Sequence, residues 1–189
     1  MTPPFVLGIL ASSQVIAAAG DYESIATVTV GSGGAANVEF TSIPGTYTHL
    51  QIRGISRSTT AATGEDEVRI QVNSDTGNNY SRHYLYGTGS AVGATGTATT
   101  SYGFLATAPR DNNTASIYGV AVIDILDYAN TNKYKTMRSL SGDDRNGSGN
   151  VQLCSALWQS TSAITSIKLY PEQNNFKQYT SFALYGCKI

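Results

Sequence analysis

Charge is the first thing this chain is short of. Only 13% of its residues are charged, about half the ~25% usual for globular chains. Twelve basic and 13 acidic residues leave a net charge of −1, which excludes the strong positive field that draws a protein to nucleic acid or to an anionic membrane. Near-neutrality also gives little colloidal protection, and so suits a chain that packs against copies of itself or a large scaffold. Cysteine is scarce: Cys154 and Cys187 are the only two, too few for a disulfide framework in a domain this long. They read as small buried residues with free thiols. Histidine is just as rare, and neither His49 nor His83 has metal-ligand spacing to Cys, Asp or Glu. A GxSxG elbow, a P-loop and a CxxC pair are all missing. No apolar run is long enough to cross a bilayer. No enzymatic activity, cofactor or metal is expected from this inventory.

What the chain does have is 19 glycines, 12 tyrosines and much Ser, Thr and Asn, a mixture that favours strands and tight turns over helices. Its 189 residues suit one domain with a core that needs no staple. Apolar residues alternate with polar ones over Glu23–Val30, Ala36–Thr41, Leu50–Ile55, Val68–Asn73, Tyr80–Tyr86, Ala115–Leu126, Lys133–Ser141, Val151–Trp158, Ile164–Tyr170 and Phe182–Cys187. That is nine or ten strands, with a turn every 8–12 residues or so, the pattern of an antiparallel sandwich or barrel. Gly31-Ser32-Gly33-Gly34 reads as a hairpin turn, and Pro44-Gly45 as a Pro-Gly turn. Residues 87–101 read as a featureless loop. The stretch from Ile164 to Ile189 reads as a closing hairpin whose second strand lies deep in a sheet, with Phe182 and Leu184 in the core and Cys187 beside them. The expected fold is all-β: an antiparallel β-sandwich, a jelly roll by preference, over residues 21–189, preceded by an extended N-terminal arm over 1–20.

Four groups invite a chemical reading. Asp75-Thr76-Gly77 copies the aspartic-protease triplet, but that chemistry needs two carboxylates sharing a proton, and the surrounding Asn and Ser residues make a tight turn the expectation. Asp143, Asp144 and Asn146 crowd oxygen ligands into one loop, as a weak calcium site would. Arg53, Arg57, Arg69 and Arg82 could form a basic stripe, though four scattered cations among acids make a poor nucleic-acid surface. Tyr80, Tyr84 and Tyr86 share one face of a strand with Arg82 between them; they suit either sugar stacking or packing in the core or at a subunit contact. Lone Trp158 reads as core or interface.

The first 20 residues have three readings. A secretory signal fits Phe5–Ala11 and Ala17-Ala18-Ala19, but Lys and Arg are missing from the start and Ser12, Ser13 and Gln14 interrupt the apolar run. A docking arm built on Phe5, Val6, Leu7, Ile9 and Leu10 is preferred, and packing on the chain's own domain is the third.

Several stretches in order (PPFVLGILASS, FTSIPGTYTHLQIR, VNSDTGNNYSRHYLYG, VIDILDY and SFALYGCKI) resemble small virion structural proteins of tailed bacteriophages, especially phages of aquatic bacteria. The resemblance runs from about Pro3 to Lys188. It implies a β-sandwich module on the particle surface, made in the host bacterial cytoplasm, serving as capsid decoration or as a tail-fibre or adhesin part. It carries no catalytic residues across. The partners it implies are copies of the chain itself, as a homotrimer, and another phage structural protein docked through the arm; host-surface glycan at Tyr80, Arg82, Tyr84 and Tyr86 is the alternative. Neither nucleic acid nor membrane is expected. Decoration is favoured over adhesin because the chain is short and has no fibre-like repeat.

Overall fold

Period-two alternation becomes strand almost wherever it occurs. The computed structural model describes residues 20–188, and over that span it contains twelve strands and no helix: β1 (Tyr22–Thr29), β2 (Val38–Phe40), β3 (His49–Ser56), β4 (Glu65–Val72), β5 (Tyr80–Gly87), β6 (Val92–Thr100), β7 (Gly103–Pro109), β8 (Gly119–Ile125), β9 (Lys135–Asp144), β10 (Gly149–Trp158), β11 (Ile167–Pro171) and β12 (Ser181–Cys187). Two antiparallel sheets result. A wide sheet has the order β1-β12-β3-β8-β9-β10-β5-β6, and a narrow one the order β2-β11-β4-β7. Their facing sides share one core, with Ile52, Ile123, Ile125, Met137, Phe182 and Leu184 from the wide sheet meeting Phe40, Val68, Ile70, Leu105, Ile167 and Leu169 from the narrow one. Each such side chain contributes roughly 1.5–3 kcal/mol gross by leaving water.

The closing strand lies deep in a sheet, as expected. β12 sits between β1 and β3, with Phe182 opposite Gly54 and Leu184 opposite Ile52. Glycine at 54 is a packing requirement: a Cβ there would lie 2.3 Å from the Phe182 ring. Phe182 and Leu184 are buried, whereas Cys187 lies on the opposite parity and is only half-buried. The pair of buried thiols therefore reduces to one, Cys154, whose thiol burial pushes up to about 11.

Two expected hairpins are crossovers. β1 and β2 belong to different sheets, as do β11 and β12, so Gly31–Gly34 and the 172–180 segment each carry the chain across the sandwich. The two crossings meet, Ala35 and Phe176 exchanging backbone hydrogen bonds of 3.0 and 2.7 Å. Turn residues limit where a chain reverses; they do not say which sheet receives the next strand.

Two strands fall where the sequence pattern shows none. β7 is buried along its whole length, and a strand covered on both sides has no polar parity to display. β6 is the featureless tract. Its glycines receive the side chains of β5: a Cβ on Gly93 would lie 2.5 Å from the Tyr86 ring, and one on Gly96 2.2 Å from the His83 ring. Aromatic cover of a neighbouring glycine steadies a strand whose own side chains are too small to pack.

The expected strand over Ala115–Leu126 begins only at Gly119, because residues 111–117 wrap a buried arginine. The Arg57 guanidinium donates to the carbonyls of Thr114 (2.8 Å), Ile117 (2.9 Å), Asp111 (2.9 Å) and Asn113 (3.0 Å). The buried cation thereby gains the partners it needs away from water. Lys135 does the same at the other end of the sandwich, its fully buried ammonium donating to the carbonyls of Lys133 (2.9 Å) and Thr161 (3.1 Å).

Candidate functional site

The tyrosine row of β5 occupies the inner side of the wide sheet, where it overhangs the β7 edge of the narrow one. Tyr80 is fully buried, its hydroxyl accepting the Val72 N–H at 3.0 Å and donating to the Asp75 carbonyl at 3.2 Å. It is sealed from any external ligand. Tyr84 packs edge-on against Phe104 with ring centroids 4.8 Å apart, and Tyr86 lies 6.1 Å from Tyr84. Burial raises the Tyr84 hydroxyl above its usual range. Arg82 reaches across to Glu67 at 2.7 Å and lies 5.0 Å from the centre of the Tyr102 ring, while Arg69 lies over the same ring at 4.0 Å. Glu67 also takes Arg69 at 2.9 Å. The row thus shares one face, as alternation predicts, and spends most of its polar and aromatic capacity joining the two sheets.

The remaining candidates divide in the same way. Asp75 accepts from Trp158 Nε1 at 2.7 Å, the Gly77 N–H at 2.8 Å and Asn79 Nδ2 at 3.0 Å, so the triplet is a turn that anchors the buried tryptophan. Asp143 and Asp144 are consecutive on β9 and face opposite sides. Asp143 turns inward towards Arg145 at 3.4 Å, while Asp144 turns out, which separates the proposed calcium ligands. Among the described residues no three His, Cys, Asp or Glu side chains converge in a metal-holding group. The arginines form no stripe. Arg57 is buried, Arg69 and Arg82 share Glu67, and Arg53 lies on the far side of the wide sheet, 5.5 Å from the Tyr22 ring and 5.8 Å from that of Tyr185. The docking residues Phe5, Val6, Leu7, Ile9 and Leu10 lie outside the described residues.

The largest unexplained surface is the outer face of the wide sheet. Antiparallel register stacks its outward side chains in rows across the strands. One row runs Val122, Leu140, Leu153, Leu85 and Ala94 from β8 to β6; the next runs Ile55, Val120, Gly142, Val151, Gly87 and Val92 from β3 to β6. Val92 is 89% exposed, Val151 61% and Leu140 60%. An antiparallel sheet with one face in water ordinarily shows polar residues there. Here the two rows are apolar across β8, β9, β10, β5 and β6, bordered by a polar row of Asp124, Arg138, Ser155 and His83, and they hold a shallow depression of about 670 Å³ lined by Leu85, Val92, Ala94, Leu140, Val151 and Leu153. Away from these rows the face is polar, over β1, β12 and the first half of β3 and at the Asp124 end of β8: Tyr22 stacks on Tyr185 at 4.8 Å and donates to Gln51 at 2.8 Å, and Gln51 donates to Asp124 at 2.9 Å.

Reading apolar residues as inward conceals this face. Its sequence signal is apolar residues on both parities of one strand, as in Val120-Ala121-Val122-Ile123 and Val151–Trp158. A surface of this kind can exclude water against another apolar surface. No protein-family model matches the chain, and no curated protein matches it.

Proposed function

We propose that the protein is a non-enzymatic structural component of a tailed-phage virion, present in many copies on the particle surface as a capsid decoration protein and docked there by its N-terminal arm. The observation that carries this reading is the apolar outer face of the wide sheet, because a contiguous exposed patch of that kind marks an interaction surface. The segment resemblance from Pro3 to Lys188 supplies the setting, and a homotrimer is the arrangement it implies. A jelly roll is part of the proposal. With β5, β6, β9 and β10 set aside, the strands order as β1-β12-β3-β8 and β2-β11-β4-β7, which is the eight-strand, two-sheet pattern of that fold. Host-surface glycan is the weaker reading, since Tyr80 is sealed and Arg82 is held by Glu67.

Deleting residues 2–12 tests the role of the arm. The expected outcome is a folded protein that no longer enters particles, read by mass spectrometry of purified virions. Normal incorporation of the truncated chain would overturn arm docking, and a virion that never contains the full chain would overturn the structural role.

A further inference from the structure

We propose that the apolar outer face of the wide sheet binds the same face of a second copy of the chain, about a two-fold axis that crosses the strands between the Leu140 row and the Val151 row. The inference deepens the multi-copy reading above by naming the contact.

Three observations select a second copy as the occupant. The first is size. Ile55, Val92, Leu140 and Val151, with the other exposed side chains of the two rows, offer on the order of 600 Å² of apolar surface, at the top of what a typical monomer shows and near the ~800 Å² per partner of a standard interface.

The second is shape. On β9 Leu140 is followed two residues later by Gly142, and on β5 Leu85 by Gly87. All four lie on the outward parity, the leucines in one row and the glycines in the other. A two-fold axis between the rows lays Leu140 and Leu85 over Gly142 and Gly87 of the opposing copy and Leu153 over its Val151, so the face pairs with itself, as an isologous contact must.

The third is charge. Arg138 lies one row beyond Leu140, is paired with Asp124 of its own chain at 3.1 Å and is still 65% exposed, while Asp144 lies one row beyond Gly142 and points outward. The same axis sets Arg138 of each copy over Asp144 of the other, whereas an axis running along β9 would set Arg138 against Arg138. Opposite charges at the rim fix register and disfavour the wrong arrangement.

The test is the mass of the full chain in solution, by light scattering and native mass spectrometry at micromolar concentration. The expected result is an even number of 20.0 kDa chains: a dimer, or two trimers joined face to face. Leu85→Asp with Leu140→Asp should halve that number with an unchanged circular-dichroism spectrum. Arg138→Asp and Asp144→Arg should each weaken association by roughly tenfold, the cost of a like-charge contact at an interface rim. The two combined should restore it, a rescue that damage to the fold could not produce.

A single chain, or an odd-numbered assembly untouched by these changes, overturns the proposal. So does an assembly lost when residues 2–12 are deleted, since the arm would then be the occupant, or a face shielded only inside particles, since another protein would be. Failure of the virion reading shows in the protein content of particles and leaves the solution mass unchanged, so the two can fail separately.

Discussion

Val122 and Ile123 are consecutive on β8, both apolar and both β-branched, yet Ile123 is 0% exposed and Val122 40%. Over the Leu140 and Val151 rows the outer face of the wide sheet is built from the same apolar residue types as its inner face. The inner face is covered by the narrow sheet, with β7 lying against β8, β9 and β10; the outer face has nothing from the described residues over it. Apolarity in a strand therefore says that a face wants cover, and the tertiary arrangement says whether the chain supplies that cover itself.

Breaking the inner face should have the largest effect. Ile123→Ala removes methyl groups from a site closed on all sides, and is expected to lower unfolding free energy by about 2–5 kcal/mol, read by urea denaturation. A loss below ~1 kcal/mol would mean that the inner face is less tightly packed than its burial implies.

Acid should open the inner face at one end. Burial raises the Asp75 carboxyl, but hydrogen bonds from Trp158, Asn79 and Gly77 outweigh it and hold the group below its usual value. A carboxyl depressed in the folded state contributes stability that is full above the unfolded value of ~3.9 and is lost as pH falls through the folded value. Urea midpoints followed by Trp158 fluorescence, the only tryptophan, should therefore drop below about pH 4. Asp75→Asn should remove that component of the drop and cost about 1–2 kcal/mol at neutral pH.

The smallest expected effect sharpens the comparison from the other side. Val122→Ser, one position from Ile123, should change the stability of the isolated chain by no more than about 0.5 kcal/mol. A large loss in a protein shown to be a single chain would mean that the outer face is covered from within.

Much of the strand layout is legible in the sequence, because alternation is a local property. Val68, Ile70 and Val72 on β4 are an unbroken half-buried pattern, and the structure buries all three. β6 and β7 were hidden for opposite reasons. The glycines of β6 borrow their cover from Tyr86 and His83, while β7 has no exposed parity. The tyrosine row was legible as a row, but its destination was not. That Tyr84 meets Phe104 depends on β7, twenty residues further along the chain, and the sealed Tyr80 hydroxyl meets the end of β4 and the turn after it, at Val72 and Asp75. The apolar outer face was visible only as a redundancy, two apolar parities where one would close a core.

The sequence by itself determined which segments extend and where the chain turns, since side-chain period and Gly, Pro and Asn conformational preferences act over a few residues. It also determined that Phe182 and Leu184 share a face. Only the tertiary structure decided that Gly31–Gly34 is a crossing and not a hairpin, and which of two equivalent strand faces would meet the other sheet. A period of two makes the faces of a strand interchangeable until a partner from a distant part of the chain covers one of them.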